Sequence, residues 1–314
     1  MNKKRVYLLT GATGFIGSNL ARRLVWRNEK VHLILREQAD PRRVKELLNK
    51  VTCHRSDLSD SAVLKKICRD VKPDVIYHLA VYGAYPRQQD EDRMITTNIL
   101  GTWNLLEAAS QRGFELFVNT GSSSEYGIKD HAMKETDLPE PVTDYAVSKL
   151  TQTLLSSFAA RQWKKPVVTL RPFSVYGPYE ESGRLIPKLL SALYLGKKME
   201  LVRPDITHDY IYVDDVVEAF LLIERLKKFP GEVFNLGRGI KVSIQDVVDA
   251  AFKVSGKSMK LSWGRMEPRP GDSTSSWVAD ASKARRMLGW RAGIGLEKGL
   301  SLTLEWFKQK HSLV

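Results

Sequence analysis

Cysteine is scarce in this sequence: Cys53 and Cys68 are the only two in 314 residues. They lack metal-ligand spacing and make poor material for a disulfide framework, so a reducing compartment, the cytoplasm, is the expected home. Long hydrophobic runs are missing too. No stretch approaches the ~18 apolar residues of a membrane helix. The run Val6-Tyr7-Leu8-Leu9 after Asn2-Lys3-Lys4-Arg5 is too short for a secretory signal and breaks at Gly11. Acid is in deficit: 36 Asp and Glu stand against 49 Lys and Arg, a formal net charge of +13. The basic residues are spread in pairs such as Arg22-Arg23, Lys65-Lys66 and Lys227-Lys228, with no basic tail or finger motif. That pattern suits a solvated surface steering a small anion and argues against a nucleic-acid partner.

What is present alternates. Apolar, strand-like runs fall near 5–10, 30–35, 51–55, 74–79, 115–120 and 166–171. Amphipathic stretches near 15–28, 41–50, 60–70, 92–112 and 144–163 separate them and read as helices. Such alternation predicts a parallel sheet covered on both faces, with ligands beyond the carboxyl ends of its strands. From Pro172 onward the alternation weakens, although His208–Val213 and Glu232–Leu236 read as strands that return to the first domain.

Two motifs carry chemistry. Gly11-Ala12-Thr13-Gly14-Phe15-Ile16-Gly17 joins the first strand to the first helix. Glycine there lets the backbone approach a pyrophosphate, and the free N–H groups of the helix start face the anion. Tyr145 and Lys149 stand four apart, one turn from each other on one helix face. An ammonium beside a phenol lowers the phenol pKa and suits it to proton exchange with an alcohol or an alkoxide. The serine cluster Ser122-Ser123-Ser124 precedes them.

In this order the glycine turn, the serines and Tyr145-x-x-x-Lys149 resemble the extended short-chain dehydrogenase/reductase family, in its sugar-nucleotide epimerase, dehydratase and reductase branch. Asp57-Leu58, His78-Leu79-Ala80, Asn98-Ile99-Leu100-Gly101-Thr102, Leu170-Arg171-Pro172, Asp209-Tyr210 and Arg269-Pro270-Gly271-Asp272 extend the resemblance from about residue 5 to 307. It implies an α/β fold: a doubly wound parallel Rossmann sheet (1–171 and 207–236) with a smaller mixed α/β substrate-binding lobe (172–206 and 237–314). It also implies a homodimer through the helices near 92–112 and 144–163.

By the same resemblance Tyr145 is the acid/base, Lys149 binds the nicotinamide ribose, and Ser122 holds the reacting oxygen. Gly11, Thr13, Gly14, Phe15, Ile16, Gly17, Arg36, Asp57, Leu58, Leu79, Ala80 and Pro172 complete the cofactor set. Tyr82, Ser123, Ser174, Arg184 and Arg269 are the expected contacts to a nucleoside-diphosphate sugar. Ser123 and Ser124 stand where the family's 4,6-dehydratases carry two acids, so a dehydratase is not expected. Glu125 stands one place too late and is expected to face elsewhere. The second strand ends in Leu35-Arg36, where NAD enzymes place a carboxylate. Arginine suits a 2′-phosphate. The favoured expectation is therefore an NADPH-dependent 4-ketoreductase of a 4-keto-6-deoxyhexose. The alternative is a 4-epimerase with tightly bound NAD, and a more distant one is a non-catalytic dinucleotide sensor.

Overall fold

The structure, a computed structural model, describes residues 4–85, 87–267 and 277–311. Six strands open the chain: β1 (Val6–Thr10), β2 (Lys30–Leu35), β3 (Thr52–Arg55), β4 (Val75–His78), β5 (Leu116–Thr120) and β6 (Val167–Pro172). Pairings β3–β2–β1–β4–β5–β6 are parallel, and Val233–Leu236 adds a seventh strand outside β6. Strands such as Val-Val-Thr-Leu and Val-Ile-Tyr are buried at every position and mostly apolar because the sheet is covered on both faces. Helices α1 (Phe15–Trp26), α2 (Ser61–Val71), α3 (Glu91–Met94), α4 (Gly101–Ser110) and α5 (Asp144–Gln162) connect the strands. Asp60 and Thr143 cap α2 and α5 by accepting from Val63 N and Ala146 N. This is the expected doubly wound α/β sheet.

Three local expectations are corrected. Residues 41–50 do not form a helix; only Lys45–Leu47 make a single 3₁₀ turn. Successive tight turns follow Pro41, and the Arg43 carbonyl that a regular helix would use accepts instead from the buried Arg22 guanidinium. The helix expected over 92–112 is interrupted by a π turn, Ile95–Leu100, centred on Asn98. The strand expected at His208–Val213 does not join the central sheet. Tyr210–Tyr212 pairs with Ser174–Tyr176, and Thr207–His208 pairs with Val242–Ser243. Between them the Asp209 carboxylate accepts N–H bonds from Arg238, Gly239 and Ala279.

The chain divides into two compact units. The first comprises 1–125, 141–171 and 217–234; the second comprises 126–140, 172–216 and 235–314. These ranges differ from the expected boundaries by moving 126–140, 207–216 and 235–236 into the second unit. The reason lies in bonds inside that unit. Tyr126 Oη donates to Asn235 Oδ1 at 2.8 Å, Asn235 Nδ2 donates to Met133 O at 2.9 Å, and Met133 N donates to Val278 O at 2.8 Å.

Outside the motifs, β2 and β3 of the first unit place His32 Nδ1 2.9 Å from His54 Nε2, with ring centroids 5.2 Å apart and planes 15° apart. That separation fits two rings meeting edge to edge through one N–H. Protonating both rings would set two N–H groups against each other. Burial pushes His32 down to about 4, with His54 and Lys30 adding to the effect. Burial also lowers His54, opposed by Asp70. The folded pKa lies below the unfolded value of about 6.5, so the unfolded chain takes up protons first. Stability should therefore fall as pH drops from about 6.5 toward about 4. Melting curves from pH 7 to 4 check this, and His32→Phe should flatten the slope. An unchanged slope in that variant would remove His32 as its source.

Candidate functional site

The glycine turn, the serines at the end of β5 and the Tyr145–Lys149 helix all belong to the first unit. The glycine turn is built without room for side chains. Gly11 has φ +70°, and a Cβ on it would lie 2.4 Å from the Leu79 carbonyl carbon and 2.5 Å from Ala80 N. A Cβ on Gly17 would lie 2.3 Å from Gly11 O. Gly14 is the N-cap of α1 and supplies no side-chain cap, and no acid stands in the first turn. The first N–H groups of α1 are thus left for an outside anion. These features fit a dinucleotide diphosphate, with Thr13, Phe15 and Ile16 lying along the turn.

Around the turn lie the other expected cofactor contacts. Leu79 and Ala80 continue from β4, and Ala80 N donates to Thr10 Oγ1 at 3.2 Å. Leu35 is buried and Arg36 is half-exposed. Asp57 accepts from Ser59 N at 3.0 Å and Ser59 Oγ at 2.9 Å. Burial works against the Asp57 charge, but these bonds and the charges of Arg36 and Arg93 outweigh it and hold the carboxyl below its usual range. Leu58 is buried, and its carbonyl accepts from Asn104 Nδ2 at 3.0 Å. Arg43 Nη1 reaches the Thr13 carbonyl at 3.4 Å.

Lys149 is buried on α5, and its ammonium donates to Thr120 O at the end of β5 and to Gln152 Oε1. Burial pushes it down to about 8, opposed by Glu125. Thr120 stands two residues before Ser122, and Tyr145 stands one turn before Lys149. The helix is thereby tied to the strand end that carries the serines. Tyr145 is half-buried, and a Cβ on Gly83 would lie 3.4 Å from its Cδ2. Ser122 Oγ lies 2.7 Å from Ser124 Oγ and accepts from Ser124 N at 3.2 Å. Ser123, the expected sugar contact, is buried, so Ser124 is the serine beside the Ser122 hydroxyl.

Sequence reasoning missed the polar chain beneath these groups. Thr10 Oγ1 lies 2.7 Å from His78 Nδ1, His78 Nε2 lies 2.8 Å from Thr102 Oγ1, and Gln152 Nε2 donates to Thr102 Oγ1 at 2.7 Å. Burial, helped by the Lys149 charge, pushes His78 down to about 3, so the imidazole is neutral. The chain runs from the end of β1 to Lys149. The Lys149–Gln152 spacing was its one local signal. Asn98, in the π turn, accepts from Tyr82 N, donates to Tyr82 O, both at 2.8 Å, and donates to Ser148 Oγ at 2.9 Å. The Arg93 guanidinium lies 5.0 Å from the centre of the Tyr82 ring.

The other expected contacts lie in the second unit. Pro172 closes β6. Ser174 pairs with Tyr210, and Arg184 occupies the N-cap position of the helix Leu185–Leu195. Arg269, with Gly271 and Asp272, lies outside the described residues. Among the described residues there is no group of three or more His, Cys, Asp or Glu side chains suited to a metal ion, and no helix long and apolar enough to cross a membrane.

Comparison with known proteins gives the family and agrees with the fold. Residues 7–237 match the NAD dependent epimerase/dehydratase family. A UDP-glucose 4-epimerase of Mycolicibacterium smegmatis is 30% identical over 96% of this chain and 98% of its own. The dTDP-D-glucose 4,6-dehydratase of Bos taurus is 27% identical over 98% of this chain and 89% of its own. Among solved structures, the UDP-glucuronic acid 4-epimerase of Bacillus cereus, in complex with UDP-glucuronic acid and NAD, superposes with a TM-score of 0.84 at 30% identity, covering 97% of this chain and 99% of that one.

Proposed function

The chain belongs to the NAD dependent epimerase/dehydratase family, and from that premise we propose that it interconverts the C4 epimers of a nucleoside-diphosphate hexose with NAD as resident cofactor. The 4-epimerases among its relatives support this over the ketoreductase expected first. The observation that carries it is the β5 end, where Ser122 and Ser124 share one hydroxyl pair, Lys149 is tied to Thr120, and no acid side chain stands at 123 or 124. Elimination of water would lack its acid there.

A bound nicotinamide would supply the redox chemistry, hydride exchange with sugar C4, and the glycine turn and Lys149 would hold it. The chain's own residues move the proton and hold the oxygen. The Tyr145 phenolate takes the C4 hydroxyl proton, and the phenol returns it to the ketone. Ser122 holds the same oxygen by a hydrogen bond. The Lys149 ammonium favours the phenolate and is itself lost above about pH 8, which sets the alkaline end of activity. The test is direct. Nucleotide released from denatured protein is identified, and the protein is incubated with UDP- and GDP-hexoses while the C4 epimer is followed by NMR. No epimer from any hexose, with no retained NAD, overturns the reading.

One observation favours a second reading, NADPH-dependent reduction of a 4-keto-6-deoxy nucleotide sugar. It is the pairing of Leu35-Arg36 at the β2 end with Arg43 at the Thr13 carbonyl. Under it, Arg36→Ala should weaken NADPH about 10-fold or more, the scale of one charge-assisted bond, and leave NADH nearly unchanged. Titration by nicotinamide fluorescence checks this. Equal losses for the two nucleotides would remove the arginine argument.

The expected homodimer belongs with either reading. On the π turn and α5, Ile95, Leu100, Val147, Leu154 and Phe158 are exposed apolar side chains. Such a concentration marks an interaction face. Leu154→Glu should convert a dimer to a monomer in sedimentation equilibrium, and a monomeric parent protein would remove the proposal.

A further inference from the structure

We infer that Glu125 is a positioning residue: it anchors the Ser122 backbone, and with it the Ser122 hydroxyl, against Arg171 at the end of β5. The residue was expected to face elsewhere, yet it is fully buried, with 0% exposure. Its two oxygens have different partners. Oε1 accepts from Ser122 N at 2.6 Å, and Oε2 accepts from Arg171 Nη2 at 2.7 Å. Arg171 is itself buried at the carboxyl end of β6. Sheet register makes the pair possible: Thr120 stands opposite Leu170, and Gly121 N donates to Leu170 O at 2.7 Å.

The backbone around the carboxylate is shaped to receive it. A Cβ on Gly121 would lie 2.7 Å from Glu125 Oε1, so only glycine leaves the oxygen its place. Glu125 N donates to Ser122 O at 3.1 Å, closing the turn from the other side. The Ser122 peptide is held at both its N–H and its carbonyl by one residue. Ser122 Oγ then meets Ser124 within the same turn. A buried carboxylate needs compensation, and Arg171 gives it a charge partner and Ser122 N a hydrogen bond. A structural ion pair alone would not require the bond to Ser122. The Glu125 charge also reaches Lys149, whose ammonium it favours against burial. One side chain thus acts on two members of the proposed proton machinery, through a hydrogen bond on one and through space on the other.

The activity part of the test rests on the C4 chemistry proposed above; the lysine part does not. Two variants separate the effects. Glu125→Asp keeps the charge and withdraws the oxygen from Ser122 N. It should lower kcat at least 10-fold with KM changed less than 3-fold, and leave the Lys149 titration in place. Glu125→Gln keeps the length and loses the charge. The Lys149 midpoint, followed by NMR of ¹³Cε-labelled lysine and assigned with Lys149→Arg, should fall by at least half a pH unit. The alkaline limb of kcat/KM should move down with it. Unchanged kcat in Glu125→Asp overturns the inference, and an unmoved lysine midpoint in Glu125→Gln removes the through-space effect on Lys149. If Glu125→Gln does not fold, the kcat-against-KM split in Glu125→Asp decides alone. If the parent protein turns over no sugar, the function reading fails, and the Ser122 amide proton shift decides this one: it should move upfield in Glu125→Asp as the bond to the carboxylate is lost, and an unmoved shift overturns the anchor.

Discussion

Tyr145→Phe should reduce turnover about 1,000-fold, within the 10²–10⁴ range that general acid–base groups contribute, and leave cofactor affinity within about 3-fold. The substitution removes only the phenol oxygen. The ring stays against the loop at Gly83, where a Cβ would already lie 3.4 Å from Tyr145 Cδ2. The tie from Lys149 to Thr120 and Gln152 does not involve that oxygen either. Chemistry and binding therefore separate in this variant. The assay follows the C4 epimer, and nicotinamide fluorescence follows the cofactor. Retained turnover would remove Tyr145 as the proton carrier. It would also return weight to a dinucleotide sensor, for which Ser122, Tyr145 and Lys149 have no catalytic use.

Much of this site was legible because its parts are local. Strand ends follow from apolar runs, and β1, β2 and β5 begin and end within one residue of the expected limits. The glycine turn and the Tyr145–Lys149 spacing are contiguous patterns, and each is read without knowing what lies opposite. What could not be read depends on register. Glu125 finds Arg171 46 positions away, because β5 and β6 are aligned so that the residues after Thr120 and Leu170 come side by side. Lys149 finds Thr120 across 29 positions for a similar reason. His78 and Gln152 lie 74 positions apart and meet at Thr102. The helix expected at 41–50, which does not form, is the same failure in another form. Its periodicity was acceptable, but a distant guanidinium from Arg22 claimed the Arg43 carbonyl, and local propensity lost to a tertiary bond.

Gly17→Ala is the second substitution with a large expected effect, and its sign is opposite to that of an ordinary helix substitution. Gly17 lies inside α1, where replacing glycine by alanine normally stabilises by about 1 kcal/mol. Here the new Cβ would lie 2.3 Å from Gly11 O, 2.9 Å from Gly11 C and 3.0 Å from the Ala12 Cα. All three are backbone atoms and cannot rotate away. The turn must move, and overpacking of this kind costs about 1–3 kcal/mol. The steric term therefore exceeds the propensity gain, and a net loss of stability is expected. Cofactor binding should suffer more. The Gly11 carbonyl accepts from Gly14 N at 2.9 Å, so displacing it shifts the N-cap of α1 and with it the N–H groups aimed at the diphosphate. Affinity for NAD or NADP should drop at least about 30-fold, which is about 2 kcal/mol. Gly183→Ala is the control, since a Cβ there meets nothing within 4 Å. It should leave both melting temperature and nucleotide content unchanged. Melting curves with and without nucleotide check both variants. A Gly17→Ala protein that melts higher than its parent and still binds nucleotide would mean that the first turn of α1 does not hold the diphosphate.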